Sequence, residues 1–386
     1  MPGFEILGSE EFLQVKSVFD SGGILFRHGF DHLRNNIYKV KEFEQQFAAY
    51  MGSPNALAVT SGTAALRVAL AALGVKSGDE VITQSFTFVA TVEAIIESRA
   101  TPICTEIDNT LNMDPNDLLN KITPKTKAVI VVHMLGTPAR MDIISRICSE
   151  HNIPLIEDTA WGCGGSFQDK KLGTWGDIGT YSFDFAKTMT TGEGGMVVFN
   201  NHSDYLHAAA WHDHGHENNP KLPRWMDSRS SSGFNFRMME LQGAIGLAQL
   251  KKLDYVVEKQ RINKSRIMDV ISQLPSLSFR EVPVGSFETA DALVFFVPHS
   301  NYAIACRNEL LNVGLTTKIL PEAYTWHFAA TWDHMHELVN SHNNMLSDSF
   351  PQSYSILSRS VSLPINLDLT DDTIQLIYKA LKQALS

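Results

Sequence analysis

Short apolar runs alternate with amphipathic stretches through the first two-thirds of the chain. Residues 56–60 (ALAVT) read as a strand that leads through Ser61-Gly62-Thr63 into AALRVALAAL, a helical pattern. GDEVITQS reads as a strand entering a turn, and KAVIVVHM, from Lys127, as a fully buried strand. IPLIED ends a further buried strand at Asp158, and DIISRICSEHN between the last two has helical periodicity. Strands and helices in alternation predict an α/β fold built on a large, mostly parallel sheet covered on both faces. Such sheets bind ligands beyond the carboxyl ends of their strands. Thr60–Thr63, Gln84–Phe88, His133 and Asp158 fall at those ends.

The pattern changes near residue 241. LQGAIGLAQLKKLDYVVEKQRINKSRIMDVI predicts one long helix over about 241–271, linking two lobes. DALVFFVP and NYAIACRNELLNVG then predict a smaller α+β unit. The expected division is a large domain with an N-terminal arm over 1–255 and a small domain over 256–386. Residues 201–232, rich in His, Asn, Ser and Pro, read as a long irregular loop.

Composition adds constraints. The formal net charge is −10, which argues against a nucleic-acid-binding surface. The four cysteines (Cys104, Cys148, Cys163 and Cys306) show no CxxC spacing, so neither a zinc site nor a redox pair is signalled. MPGFEILGSEEF lacks the basic start and apolar run of a signal peptide, and no apolar stretch approaches the ~20 residues of a membrane span. A cytoplasmic location, away from membranes, is the expectation.

Candidate chemistry centres on SFDFAKTMTTGEGGMV. A lysine before a Gly-rich turn is also what a plain surface turn looks like. Asp158, however, ends an apolar strand, where a charge is costly without a partner. A lysine amine able to hold an aldehyde cofactor, with a carboxylate able to hold a pyridine ring protonated, is the pair that pyridoxal chemistry requires. Ser61, Gly62 and Thr63 open a helix after a strand, a place that suits a phosphate, although Ser and Thr are ordinary helix caps. Ser182 offers another hydroxyl. Phe88 is placed to stack on a cofactor ring or to serve as a core phenylalanine.

Together VKEFEQQFAAYMG, TSGTAALRVAL, GDEVITQSFTFVATVEAI, PLIEDTA, GTWGDIGTYSF, AKTMTTGEGGMV and GFNFRMMELQGAIGLAQL resemble the DegT/DnrJ/EryC1/StrS sugar aminotransferases. The resemblance implies the aspartate aminotransferase fold (fold type I) and pyridoxal 5'-phosphate as cofactor. It implies that Lys187 is the cofactor-holding lysine and proton shuttle, that Asp158 pairs with the ring nitrogen, and that Phe88 stacks on the ring. Ser61, Gly62, Thr63 and Ser182 then form the phosphate cradle. Asn235, in GFNFR, would reach the phosphate of a neighbouring subunit, which implies a homodimer with shared active sites. Glutamate is the expected amino donor and a keto or aldehyde sugar the acceptor.

One departure stands out: many relatives read EDAAQA where this chain reads EDTAWG. Trp161, expected beside the cofactor, therefore replaces an amide with a group that donates one hydrogen bond and accepts none. The segments MPGFEILG, FRHGFDHLRN, HDHGHENN and TWHFAATWDHMHELV resemble a narrower branch. That branch aminates C8 of an oxidised 3-deoxy-octulosonate (Kdo) to give Kdo8N for lipopolysaccharide. Arg27, His28, Arg34, His214, His216 and His327 are the candidates for a sugar carboxylate, each with an ordinary alternative as a surface charge or a satisfied histidine. HDHGH also invites a metal reading, but no Cys or carboxylate partner follows at metal-site spacing, and no metal is expected. Amination of a nucleotide-linked 3- or 4-keto sugar is the main alternative. A sugar 3-dehydratase of the same group would carry histidine at position 187. A silent cofactor binder would have no use for both Lys187 and Asp158.

Overall fold

The computed structural model describes residues 2–219, 221–315, 320, 323–343 and 345–386. Its main sheet is assembled from β1 (Asn55–Val59), β2 (Glu80–Gln84), β3 (Thr101–Thr105), β4 (Thr126–Val132) and β5 (Leu155–Asp158). After a hairpin of β6 (Ser166–Phe167) and β7 (Lys170–Lys171), β8 (Ile178–Ser182) and β9 (Gly195–Phe199) complete it. The order is β1-β9-β8-β5-β4-β2-β3. β9 is antiparallel to both of its neighbours, and every other pairing is parallel. Parallel strands need crossovers, and the Gly62–Ala72, Val89–Glu97 and Met141–Glu150 helices supply three of them.

Alternation along β4 shows why the strands read as unbroken apolar runs. Ala128 and Ile130 pack with Leu66, Ala69 and Leu70 of the Gly62–Ala72 helix on one face. Val129 and Val131 pack with Ile144 and Ile147 of the Met141–Glu150 helix on the other. Both faces are buried, so neither set of positions can be polar.

The long helix runs over Glu240–Ile271. Beyond it, β10 (Ser278–Phe279), β12 (Ala292–Phe296) and β13 (Ser360–Pro364) form an antiparallel sheet. The Ser300–Asn312 and Asp371–Leu385 helices cover it around Phe295, Leu310, Val361 and Leu381. β11 (Ser286–Phe287) joins the β6–β7 hairpin, tying this part to the main sheet. No helix among the described residues is long and apolar enough to cross a membrane.

The loop expected over 201–232 needs correction. Its first third is the His202–Trp211 helix, capped by Asn201, whose side chain accepts the Ser203 amide at 2.8 Å. The His and Asn residues masked a sound cap and an Ala-rich helix interior with Ala208 and Ala210 buried.

Candidate active site

β5 delivers Asp158 to the carboxyl edge of the sheet, where it is buried. Its carboxylate accepts from the Thr91 hydroxyl at 3.0 Å and the Ala160 amide at 3.2 Å. Burial raises its pKa, and the two hydrogen bonds and the charge of Lys187 offset only part of that rise. Lys187 sits in the turn between β8 and β9, its amide bonded to the Asp184 carbonyl at 3.0 Å. Its Nζ lies 3.6 Å from the centre of the Trp161 ring, a cation–π contact. Two residues far apart in sequence thus become one charge-coupled pair.

Behind Asp158 lies a second polar layer. The buried Glu157 carboxylate pairs with His133 Nε2 at 2.9 Å and accepts the Gly173 and Gly176 amides at 2.8 and 2.7 Å. His133 Nδ1 accepts the Ala139 amide at 3.1 Å, so the Nε2 proton is the one given to Glu157. The two strand ends are locked together directly behind the functional carboxylate.

The Gly62–Ala72 helix points its start at the same edge. Ser61 caps it, accepting the Ala64 amide at 3.1 Å. A Cβ on Gly62 would lie 2.7 Å from that of Ser182, so glycine is what lets the helix start press against the end of β8. Thr63 is exposed beside them. The first amides of a helix lack intrahelical acceptors, and with three hydroxyls they form a donor set for an anion.

Aromatic rings wall the space. Phe88 stacks on Trp326 (6.2 Å between centroids, planes at 19°) and lies 5.5 Å from His327. Trp161 lies 6.4 Å from His327, which is itself buried. Glu157, Thr91 and Trp326 were not singled out from sequence. Thr91 had a signal, since it lies one helical turn after Thr87, whose hydroxyl it meets at 2.8 Å.

Other candidates are placed elsewhere. Arg27 gives its guanidinium to Glu44 at 2.8 Å and to the Ala58 carbonyl at 3.1 Å. Arg34 pairs with Glu240 at 2.7 Å, bonds the Phe26 and Ile37 carbonyls and covers Tyr38. Neither arginine is available to a substrate within this chain, because each neutralises a buried carboxylate. Arg27→Ala should therefore cost about 3 kcal/mol by stranding Glu44. A lowered Tm with KM unchanged in the remaining folded enzyme is the expected result.

His28 lies 3.3 Å from the fully buried Asp213, and His216 lies 3.1 Å from Asp227. Asp213 also holds Arg224 and Arg237. His214 is exposed, with left-handed backbone (φ 57°). The histidines of HDHGH thus diverge, and among the described residues no group of three or more His, Cys, Asp or Glu is placed to hold a metal. Asn235 is exposed, its carbonyl oxygen accepting the Arg237 amide at 3.3 Å.

The model of the DegT/DnrJ/EryC1/StrS aminotransferase family matches residues 31–382. The chain belongs to this family. It is similar to the spore coat polysaccharide biosynthesis protein SpsC of Bacillus subtilis, with 30% identity covering 98% of this chain and 95% of that protein. It is likewise similar to the GDP-perosamine synthase of Vibrio cholerae, with 32% identity over 89% and 90% of the two chains. Among solved structures, an aminotransferase from Psychrobacter cryohalolentis superposes with a TM-score of 0.85 at 27% identity, covering 98% and 96%. The enzyme is a pyridoxal-phosphate-dependent aminotransferase.

The residues present fit that cofactor. The buried Asp158 carboxylate suits a cationic ring nitrogen, and the amine of Lys187 shares its charge environment. The glycine-tight junction of Gly62 with Ser182 brings hydroxyls and the first helix amides together, a donor set that suits a phosphate.

Proposed function

We propose that this DegT/DnrJ/EryC1/StrS aminotransferase moves an amino group from L-glutamate to the carbonyl carbon of a sugar, with Lys187 and Asp158 as its central pair. The observation that carries this reading is the buried Asp158 carboxylate at the sheet edge, held by Thr91 and Ala160, with the Lys187 amine lying against the Trp161 ring. Pyridoxal phosphate supplies an aldehyde for the lysine amine and a protonated ring that draws electrons from the substrate carbon. Asp158 holds the proton at the ring nitrogen, and Thr91 and Ala160 fix the carboxylate's orientation. The Lys187 amine would move the substrate proton as general base and then general acid. Ser61, Gly62, Thr63 and Ser182 would hold the phosphate. The Phe88 ring, braced by Trp326, and the Trp161 indole would line the cofactor site and exclude water.

The proposed acceptor is a sugar acid with a terminal aldehyde, 8-oxo-Kdo, giving Kdo8N for lipopolysaccharide. The segments 325–339 and 26–35 support it, and the first of these supplies Trp326 and His327 to the aromatic wall. Arg27 and Arg34 are committed to ion pairs, and the nearness of His327 to Phe88 and Trp161 supports it as a substrate contact. The second reading, a nucleotide-linked keto sugar, is favoured by the near full-length likeness to a GDP-perosamine synthase. A panel of sugar aldehydes and ketones with glutamate, followed by mass spectrometry, separates them. The expected result is a one-amine product from the acid aldehyde; amination of GDP- or UDP-linked keto sugars alone removes the Kdo reading and leaves the second.

The working unit we infer is a homodimer in which Asn235 completes the neighbouring phosphate site. Phe234 beside Asn235 is 58% exposed, and Trp225, ten residues earlier, 86%; burying them is what a subunit interface here would add. Sedimentation of the active enzyme should give a dimer, and an active monomer would remove Asn235 from the site.

A further inference from the structure

The turn that carries Lys187 is held by residues remote from the sheet edge. The amide of Gly3 donates to the Lys187 carbonyl at 3.1 Å. A Cβ on Gly3 would lie 2.8 Å from that oxygen, 2.9 Å from Met189 Cα and 2.9 Å from the Thr190 nitrogen. The contact is closed to any other residue without movement of the turn. Three residues on, the Thr190 amide donates to Gln249 Oε1 at 3.2 Å. Gln249 is fully buried, and its Nε2 donates to Glu11 Oε1 at 3.0 Å.

Glu11 is fixed in turn. Lys252 Nζ bonds both its oxygens, at 2.8 and 2.9 Å, and also the Ile6 carbonyl at 2.9 Å. Glu5 accepts the Leu367 amide at 2.8 Å, anchoring the same segment to the chain just past β13.

We infer that residues 3–11, with Gln249, form a clamp that positions the Lys187 turn for proton transfer, Gly3 and Gln249 being its positioning residues. The inference rests on the Lys187 reading above. The clamp holds both ends of the Lys187–Thr190 segment, the Lys187 carbonyl and the Thr190 amide. The turn is closed internally by bonds from Ala186 to Asp184 and from Thr191 to Phe183, and the Gly3 and Gln249 bonds tie that closed turn to the rest of the molecule and so set where the lysine's Cα stands. A displacement near 1 Å at a reacting group is enough to cost about a hundredfold in rate.

Two variants test it. Gly3→Val forces a branched side chain into the closed contact, and Gln249→Leu removes both side-chain bonds at nearly constant volume. In the cofactor-free protein, hydrogen exchange of a peptide spanning 184–192 should quicken about tenfold in both. Peptides from β12 and β13 should exchange as before. In the loaded enzyme, kcat with glutamate should fall about tenfold or more with KM for glutamate unchanged, and Gly3→Ala should lose less than Gly3→Val. The clamp is overturned if exchange in 184–192 is unchanged, if all peptides quicken alike, or if kcat is retained while the turn loosens. If Gly3→Val does not fold, Gln249→Leu gives the same readouts. Borohydride fixation and peptide mapping of the variants keep the two readings apart. Label on another lysine sinks the Lys187 assignment, whereas the exchange result in cofactor-free protein still decides the clamp.

Discussion

Lys187→Ala will leave a folded enzyme with no measurable turnover. In the proposed reading the amine has two jobs that no neighbour can take over: holding the cofactor covalently and carrying the substrate proton. Loss of the proton carrier alone is worth about 10²–10⁴ in rate, and loss of the covalent route compounds it. Folding should survive, because the backbone bonds of the turn, from Lys187 to Asp184 and from Gly3 to Lys187, do not involve the side chain. Removing the amine also removes a charge that lowers the pKa of Asp158. The measurement is borohydride reduction followed by peptide mapping. Wild type should carry the label at Lys187, and the alanine variant should bind cofactor reversibly with none. Label on a different lysine, or residual turnover near wild type, would sink the assignment.

Asp158→Asn should reduce kcat by about 10²–10³, equivalent to roughly 3–4 kcal/mol of transition-state stabilisation. Asparagine keeps the size and can still meet Thr91, but it cannot hold a ring nitrogen protonated by charge. The same change should stabilise the cofactor-free protein. Burial raises the folded-state pKa of Asp158 above its unfolded value. Ionising the carboxylate as pH rises through that folded value therefore costs stability, a cost absent below the unfolded value of about 3.9. The Tm advantage of the asparagine variant should be present at neutral pH and vanish as pH falls through the ordinary carboxylate range. Thermal melts of both cofactor-free proteins from about pH 3 to 8 would show it. A near-normal kcat in the variant would contradict the role. An advantage that persisted at low pH would show that ionisation of the buried carboxylate is not its source.

These two results test opposite ends of one design. A carboxylate that is costly when the site is empty becomes useful when a cation faces it. The raised pKa of Asp158 in the cofactor-free chain and its proposed partnership are two views of the same burial.

Much of this was legible along the chain. β4 and β5 read as continuous apolar runs because helices cover both faces of a parallel sheet, leaving no polar alternation to confuse the pattern. Asp158 announced itself because a charge ending such a run is expensive unless something compensates it. The Glu240–Ile271 helix was visible because thirty-odd residues without proline or strand-like alternation leave few other choices. Local chemistry fixes local structure, and local structure is written locally. What the sequence could not decide is pairing through space. Arg27 and Arg34 looked like free cations, yet each meets a carboxylate, Glu44 or Glu240, that nothing in the spacing connects to it. The stacking of Trp326 on Phe88, and the bond from Gly3 to the backbone of Lys187, depend equally on segments far apart in the chain. Periodicity and propensity fall off within a few residues, whereas electrostatics and packing act between whatever the fold brings within a few ångströms. The sequence therefore determined the apolar strands of the sheet, the long helix and the Lys187–Asp158 pair on which the proposed chemistry rests, while the His202–Trp211 helix stayed hidden behind its polar residues. The tertiary structure alone decided which charges are spent on stability and which remain to do chemistry.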